Sequence, residues 1–532
     1  MKKIGVISSL LVGCSVVAFG AAPAPGKGPP GITLEELGTY ASGVFDGSAA
    51  EIVAHDPRTQ RLFVVNAANA TVDVLDIEDP SDPTLEFAID ATEYGAVVNS
   101  VDVRKDVVAA AVEADPSQEP GSVVFFDTDG EFLSEVKVGA LPDMLTFTPD
   151  GTKVVVANEG EPAGYCEGTE DPEGSVSIID VRGKARNVKQ SDVKTATFTS
   201  FNGRKDELRA SGVRIFGPGA TIAQDLEPEY VAVSTNSSRA WVALQENNAL
   251  AIVDLDAARV KKIVPLGLKD HWRPRNGFDA SDEDGAINIT SHPTSGMYMP
   301  DGIDSFRVRG RDVLIMANEG DAREYDCYGE EARVADLELD PQVFPNAAEL
   351  QQDDNLGRLK TTTTSPTNDE GQYTEIYSFG ARSFSIRNAR GRRLFDSGKE
   401  FEKKTAALLP DEFNSNNDEN DSFDTRSDDK GPEPEGVDVG RVAGRTYAFI
   451  GLERVGGVMV YDVSRPANAR FVDYATSRDF DGDPAAGTAG DLGPEGILFI
   501  PRNESSTHKP LVVVANEVSG TTTIYEVRRD KR

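Results

Sequence analysis

Carboxylates recur at two places in a repeated motif, and their spacing is the first chemical signal in the chain. One set opens an alternating segment, usually after a proline: Glu51, Asp143, Glu229, Asp301, Glu435 and Glu495. The other closes a run of apolar residues: Glu159, Glu246, Glu319, Glu453 and Glu517, with Asn66 and Glu113 at the same place in two earlier copies. Asn158, Asn318 and Asn516 precede three of these acids. Where a first strand starts and a second, antiparallel strand ends at the same rim, both sets converge. Like charges at ~4–6 Å raise one another's pKa, and an isolated buried carboxylate is costly. A hard cation is the natural neutraliser, because calcium takes about six to eight oxygen ligands from carboxylates, amide carbonyls and water. The expected ligands of such a Ca2+ site are Glu51, Asp143, Asn158, Glu159, Glu229, Asp301, Asn318, Glu319, Glu435, Glu495 and Glu517. The structural alternative is that each acid accepts backbone N–H groups from the next copy's turn.

Other chemistries find less support. The four histidines, His55, His271, His292 and His508, are not spaced as a zinc ligand pair. No Gly-x-Ser-x-Gly elbow and no glycine-rich phosphate loop occurs, which removes the usual acyl-transfer nucleophile and nucleotide cradle. A ring of equivalent acids offers no distinguished general acid and base for glycoside hydrolysis.

The elements that position the acids are strands. In Leu141–Val181 a Pro-acid pair opens an alternating segment, Pro149-Asp150-Gly151 turns into an apolar strand, and Gly174-Ser175 starts a third. Period-two patterning broken by Pro, Asp and Gly is the signature of an antiparallel meander. Related units begin near Ala50, Asn99, Leu141, Glu227, Met299, Glu433 and Gly493. The shortest intervals, Asn66 to Glu113 and Glu113 to Glu159, match the ~40–50 residues of a four-stranded propeller blade, so longer intervals are blades with insertions. The expected fold is all-β, a seven-bladed β-propeller over residues 33–530. The last unit ends after its third strand, and the segment Leu34–Gly43 is expected to supply the missing outer strand and close the ring. A β-sandwich is the architectural alternative, but it gives no reason for a sevenfold motif.

Residues 1–22 have the layout of a secretory signal: Lys2 and Lys3, an apolar run from Ile4 to Phe19, then Gly20, Ala21 and Ala22. Leu11-Val12-Gly13-Cys14 also resembles a lipobox, which would lipidate Cys14. The apolar run continues past that cysteine, which favours cleavage near Ala22. Residues 23–32 read as a Pro/Gly/Ala linker. The mature chain is therefore expected to be secreted, periplasmic or at the cell surface, with no transmembrane segment. A net charge of −35 over 532 residues argues against nucleic-acid binding and favours divalent cations as partners. Acidity that merely keeps an exported protein soluble is the plainer reading. In an oxidising compartment Cys166 and Cys327, each a few residues after an Asn-Glu-Gly motif, could pair.

Two insertions stand out. Lys269–Met299 contains Asp279, Asp282, Glu283, Asp284 and Gly285, partly like a calcium loop but off the EF-hand spacing. Residues 326–432 form a long acidic insertion in which Tyr373–Asn388 is expected to supply the fifth blade's outer strands. Its tail, Asn414–Gly431, reads as a loop that is either solvated or ordered by metal, and composition favours solvated.

Longer motifs carry a family resemblance: ANEGEP, KDHWRPRNGFDASDEDGAINI, MPDGIDSF, ANEGDAREY, GARSFSIRN, FDTRSDDKGPEPEGVD and DLGPEGILFIPRN. Over nearly the whole mature chain the sequence resembles the choice-of-anchor I family of exported bacterial proteins, also described as similar to mesenchyme-specific cell surface glycoprotein. The resemblance implies a secreted or surface-held β-propeller, whose members carry varied C-terminal anchors. The segment Val527–Arg532 shows no sorting signal or hydrophobic tail, so attachment by such an anchor is not expected here.

Two functions follow. One is a calcium-binding extracellular or cell-surface module, binding or structural, whose partner is a surface polymer, a protein or a phosphorylated small molecule. The alternative is a calcium-dependent phosphoesterase resembling β-propeller phytases, in which clustered ions would activate a water and Arg323, Arg426, Lys430 and Arg454 would help grip phosphate. Those four side chains could equally be partners of neighbouring acids.

Overall fold

The computed structural model describes residues 31–183 and 185–529. The expected signal at 1–22, Cys14 and most of the linker at 23–32 lie outside the described residues. The chain is all-β, with seven four-stranded antiparallel sheets. In chain order the first sheet holds Val53–Asp56, Arg61–Asn66, Thr71–Asp76 and Thr84–Asp90. The second holds Val97–Arg104, Val107–Glu113, Pro120–Asp127 and Phe132–Ala140, and the third Pro142–Phe147, Lys153–Asn158, Ser175–Asp180 and Val193–Thr197. The fourth is Val231–Val233, Arg239–Leu244, Ala249–Asp254 and Arg259–Pro265. The fifth is Ile303–Val308, Arg311–Asn318, Ser383–Asn388 and Arg393–Asp396, and the sixth Pro434–Val442, Arg445–Leu452, Val458–Asp462 and Arg470–Ala475. In the seventh, Pro494–Ile500, Leu511–Asn516 and Thr521–Arg529 are completed by Ile32–Ala41, which runs antiparallel to the chain's last strand. That strand begins at Ile32, so the last position of the expected linker is already sheet.

The second strand of every sheet is nearly continuous apolar sequence, as in Val154-Val155-Val156-Ala157 and Val512-Val513-Val514-Ala515, because both its faces are covered. Each gap between successive sheets is filled by one core cluster. Phe63, Val65 and Val74 of the first sheet pack on Val108, Ala110 and Phe126 of the second. Phe384 and Ile386 of the fifth pack on Met459 and Tyr461 of the sixth. Leu62, Val64 and Leu75 of the first sheet pack in turn on Leu511, Val513 and Ile524 of the seventh. Burying each Val, Leu, Ile, Phe or Met side chain among these contributes roughly 1.5–3 kcal/mol. The first strands of successive sheets also lie beside one another, and Pro494–Ile500 of the seventh lies beside Val53–Asp56 of the first.

The long insertion departs from expectation in two places. Of Tyr373–Asn388, only Ser383–Asn388 joins the fifth sheet. Its outer strand is Arg393–Asp396, while Tyr377–Ser378 pairs in parallel with Ser295–Met297 in a separate small sheet. The tail Asn414–Gly431 is packed, with Asn414, Ser415, Asn417, Asp424 and Ser427 buried. Its polar groups are taken up by residues remote in sequence, such as Arg478 on Asn416 O and Arg382 on Ser427 O. Phe278, Val334, Leu337, Phe344 and Leu359 give the insertions a small core of their own. No helix among the described residues is long and apolar enough to cross a membrane.

Candidate metal centre

The geometry that brings the two sets of acids together is local. In four units the residue before the opening proline takes a left-handed conformation: Leu141, Met299, Glu433 and Gly493, with φ of 44°, 38°, 45° and 67°. Three of these offer their carbonyl to the N–H of the acid closing the second strand, Leu141 to Glu159, Glu433 to Glu453 and Gly493 to Glu517, at 2.8 Å each. The pairing register then slips after Pro142, Pro434 and Pro494, so Asp143, Glu435 and Glu495 sit on bulges. Bulges re-aim side chains, here toward a space bordered by the first strands of several sheets.

A cavity of about 400 Å³ lies there, lined by Glu51, Asp143, Glu159, Glu229, Asp301 and Glu495 among the expected residues. Glu161, Gln245, Glu246 and Asp321 complete its polar wall. Ile52, Met144 and Tyr230 form its floor and also line a second cavity of about 470 Å³. Three triads have carboxylate oxygens within 4.8 Å of one another: Glu159, Glu229 and Glu246; Asp301, Glu435 and Glu495; Glu319, Glu433 and Glu453.

The three triads are not electrostatically equal. In the third, Lys430 Nζ lies 2.7 Å from Glu319 and 3.2 Å from Glu433, and Arg454 lies 2.9 Å from Glu433 and 3.1 Å from Glu453. Arg426 also reaches Glu433. Burial works to raise the Glu433 carboxyl, but these three cations hold it well below the usual carboxylate range. Glu319 spends its other oxygen on Gln245 Nε2, at 2.7 Å. Among the described residues no cation pairs with the first two triads, although the charge of Arg323 works against burial to lower Glu246. Glu229 and Glu246, 6% and 5% exposed, each have a buried Oε2 without a hydrogen-bond partner, as does Glu435 at 6%. Burial first, then Glu246, Glu159 and Asp301, push Glu229 well above its ordinary value. Glu435 is raised in the same way, by burial and then by Glu319, Glu495 and Asp301. Two abutting anions cannot hydrogen-bond each other, so either a shared proton or a cation must occupy such a pair.

The lower cavity gives an internal contrast. There Asp102 accepts the backbone N–H of Phe147 at 2.7 Å and Asp438 that of Phe499 at 2.6 Å, each bridging to the following sheet. Locking one repeat to the next is thus done by Asp102 and Asp438, whereas Glu229, Glu246 and Glu435 keep free oxygens at the upper mouth.

Two expected ligands do not join the site. Asn158 donates to Ser175 Oγ at 3.1 Å and Ser177 Oγ at 3.0 Å and accepts from Gly139 N, and Asn318 donates to Ser383 O at 2.6 Å while accepting from Ser385 Oγ. Successive side chains on a strand face opposite ways, so a carboxylate at the mouth turns the preceding amide into the sheet. Glu51 and Glu517 stand together at the rim, where Glu517 raises the Glu51 carboxyl. Sequence reasoning passed over Glu161, Asp321, Glu227 and Glu433. A signal existed: Glu161 and Asp321 follow Glu159 and Glu319 by two residues, and Glu227 and Glu433 are the first acids of two Glu-Pro-Glu motifs. Glu227 is buried on Arg323, which is held by Asp225 as well. Cys166 and Cys327 form a disulfide, Cα–Cα 5.2 Å, between the loops that follow Glu159 and Glu319. Tyr165 packs edge-on against Tyr325 and Tyr328 beside it.

Among solved structures the chain is similar to Kuenenia stuttgartiensis hydrazine synthase (13% identity, TM-score 0.44, 91% of this chain and 98% of that one). It is likewise similar to streptogramin B lyase (8% identity, TM-score 0.45, 94% and 98%) and to the Swd1 β-propeller domain of Myceliophteria thermophila (8%, 0.42, 93% and 99%). Gigasin-3a of Magallana gigas is 31% identical over 194 residues, 34% of this chain and 67% of that protein. The mesenchyme-specific cell surface glycoprotein of Strongylocentrotus purpuratus is 27% identical over 327 residues, covering 52% of this chain but only 41% of its own length. The choice-of-anchor I domain model matches residues 51–466, so the chain belongs to the choice-of-anchor I family.

Proposed function

We propose that this protein is an exported, seven-bladed β-propeller that binds calcium at its acidic upper mouth and works outside the cell or at its surface as a binding or structural module. The seven sheets, the core cluster between the last and the first, and the pairing of Ile32–Ala41 with Thr521–Arg529 support a closed ring. Membership of the family and the likeness to a cell surface glycoprotein support the extracellular placement.

The observation that carries the cation is the set of partnerless, buried oxygens on Glu229, Glu246 and Glu435. All the donors there are hard oxygens, which suits calcium better than zinc or copper. An ion in each of the first two triads would neutralise them, as Lys430, Arg426 and Arg454 neutralise the third. The phosphoesterase alternative is less well supported, because Arg323, Arg426, Lys430 and Arg454 are each engaged by acids and are not available to grip a phosphate. Calorimetric titration of chelator-treated protein with Ca2+ tests the reading. A smaller number of bound ions in Glu229→Gln/Glu435→Gln than in the wild type supports it, and equal stoichiometry in the two, or no binding by the wild type, refutes it.

A further inference from the structure

We propose that the loops Asp279–Asn288 and Asn414–Ser427 form a separate site for a hard divalent cation of the calcium type, with Asp424 Oδ2 and Asn414 Oδ1 as central ligands and Asp279 supplying the second negative charge. The site belongs to the insertions and shares no residue with the channel mouth.

The first observation is unpaid hydrogen-bonding capacity. Asn414 and Asp424 are 0% and 2% exposed, yet Asn414 Oδ1 and Asp424 Oδ2 have no hydrogen-bond partner, and the same is true of Ser415 Oγ next door. Leaving such groups unsatisfied is costly, the more so when they are charged. Ser427 ties the two side chains together: its Oγ accepts from Asn414 Nδ2 at 2.8 Å and donates to Asp424 Oδ1 at 2.5 Å. Ser427 thus engages one polar atom of each side chain and leaves Asn414 Oδ1 and Asp424 Oδ2 without a partner.

The second observation is uncompensated charge. Asp279, 1% exposed, is tied to this segment through Arg382, which donates to Asp279 O and Ser427 O, and its carboxylate accepts the backbone N–H of Asn288. The cations nearby are committed elsewhere, Arg358 to Asp282 and Asp428, Arg382 to Glu402, and Arg333 to Asp428. Carboxylate, amide and hydroxyl oxygens with no nitrogen or sulfur among them select calcium-like ions. A cation there also accounts for a segment as polar as Asn414–Gly431 being packed inside the molecule.

The test uses the full chain in a background carrying Glu229→Gln, Glu246→Gln and Glu435→Gln, so that the mouth and the insertion are read separately. Titration with Ca2+ alone should still show one saturable site, and hydrogen exchange across residues 414–427 should slow about tenfold or more on adding the ion. Asp424→Asn in that background should abolish both effects. If that variant does not fold, Asn414→Ala should weaken binding at least tenfold while Asn414→Asp retains it. Absence of binding in the mouth-disabled background, or binding unchanged by Asp424→Asn and by Asn414→Ala, overturns the proposal. Failure of the mouth reading instead leaves wild-type stoichiometry equal to that of the triple variant.

Discussion

The Cα of Gly436 abuts the backbone carbonyl of Glu495 in the next sheet, so closely that a β-carbon on Gly436 would stand 1.9 Å from that oxygen. Gly302 bears the same relation to Glu435 and Gly496 to Glu51, at 2.5 and 2.2 Å. In the Pro-acid-Gly motif the glycine is thus what lets adjacent first strands approach until their acids share a cavity. Gly436→Ala should destabilise the protein by about 2–4 kcal/mol, since backbone rather than a flexible side chain must give way. Gly203→Ala, where a β-carbon meets nothing within 4 Å, is the control in a urea-denaturation comparison. Equal stability of the two variants would contradict this account of the motif.

Removing charge at the mouth should have opposite effects with and without metal. Glu229 and Glu246 repel each other in a buried setting, so Glu229→Gln in excess chelator is expected to melt a few degrees higher than the wild type. With calcium present the order should reverse, because a ligand that binds the native state at 100 times its Kd adds about 2.7 kcal/mol. Thermal melts in the two buffers read both signs. A variant that melts below the wild type in chelator argues that these oxygens are already satisfied.

The pH dependence of the metal-free protein has a definite sign. Glu51 is raised to about 7, chiefly by burial, with a Ser48 hydrogen bond opposing and Glu517 reinforcing the shift. Asp301 is raised to about 6, again by burial first, with a proton shared with Glu435 opposing and Glu319 and Glu246 adding to the shift. A carboxyl whose folded pKa exceeds its unfolded value binds more protons in the native state, so stability is full below about pH 4 and falls as pH rises through 6 to 7. Chelated protein should therefore lose melting temperature between pH 4.5 and 7.5. Calcium affinity should rise over the same window as protons leave the ligands, and calorimetry in buffers of different ionisation enthalpy should detect the released protons. A flat melting profile would mean that the acids are neutralised by other means.

How much of this was legible follows from which contacts are local. The repeated middle strands were readable because burial on both faces leaves continuous apolar runs such as Leu62–Val65 and Leu511–Ala515, and the Pro-acid openings were readable because turn and charge sit together. Adjacency to Glu159 and Glu319 along a strand puts Asn158 and Asn318 on the opposite face, which separates them from the ligand set. The roles of Tyr377–Ser378 and Asn414–Gly431 were not readable. A Tyr-Ser pair does not say that its partner is Ser295–Met297, and a polar loop does not say that Arg333, Arg382 and Arg478 will come from elsewhere to bind it.

The Cys166–Cys327 bridge closes a loop of 161 residues spanning the third, fourth and fifth units. Loop-closure entropy for a span above 100 residues corresponds to about 4–5 kcal/mol in the denatured state. Cys166→Ser/Cys327→Ser should lose stability of that order in a denaturant titration and loosen the loops carrying Tyr165 and Tyr325. A loss below about 1 kcal/mol would show that the aromatic packing holds these loops without the bond.

Lys430 offers a sharper test of whether the mouth requires positive charge. It stands between Glu319 and Glu433 where the other two triads have no side-chain cation, and the carboxylates raise its pKa well above the ordinary value against the opposing effect of burial. Lys430→Met keeps most of the side chain's volume and deletes only the charge. In chelator it should cost about 3–5 kcal/mol, the usual result of stripping one partner from a buried ion pair. If the site is built for cations, calcium should return a larger part of the loss than it adds to the wild type, because the third triad then becomes a site like the first two. Melting temperatures of Lys430→Met and wild type, each with and without calcium, decide the matter. An equal calcium increment in both proteins would mean that the Glu319–Glu433–Glu453 triad cannot take an ion, and that Lys430 is a fixed structural tie.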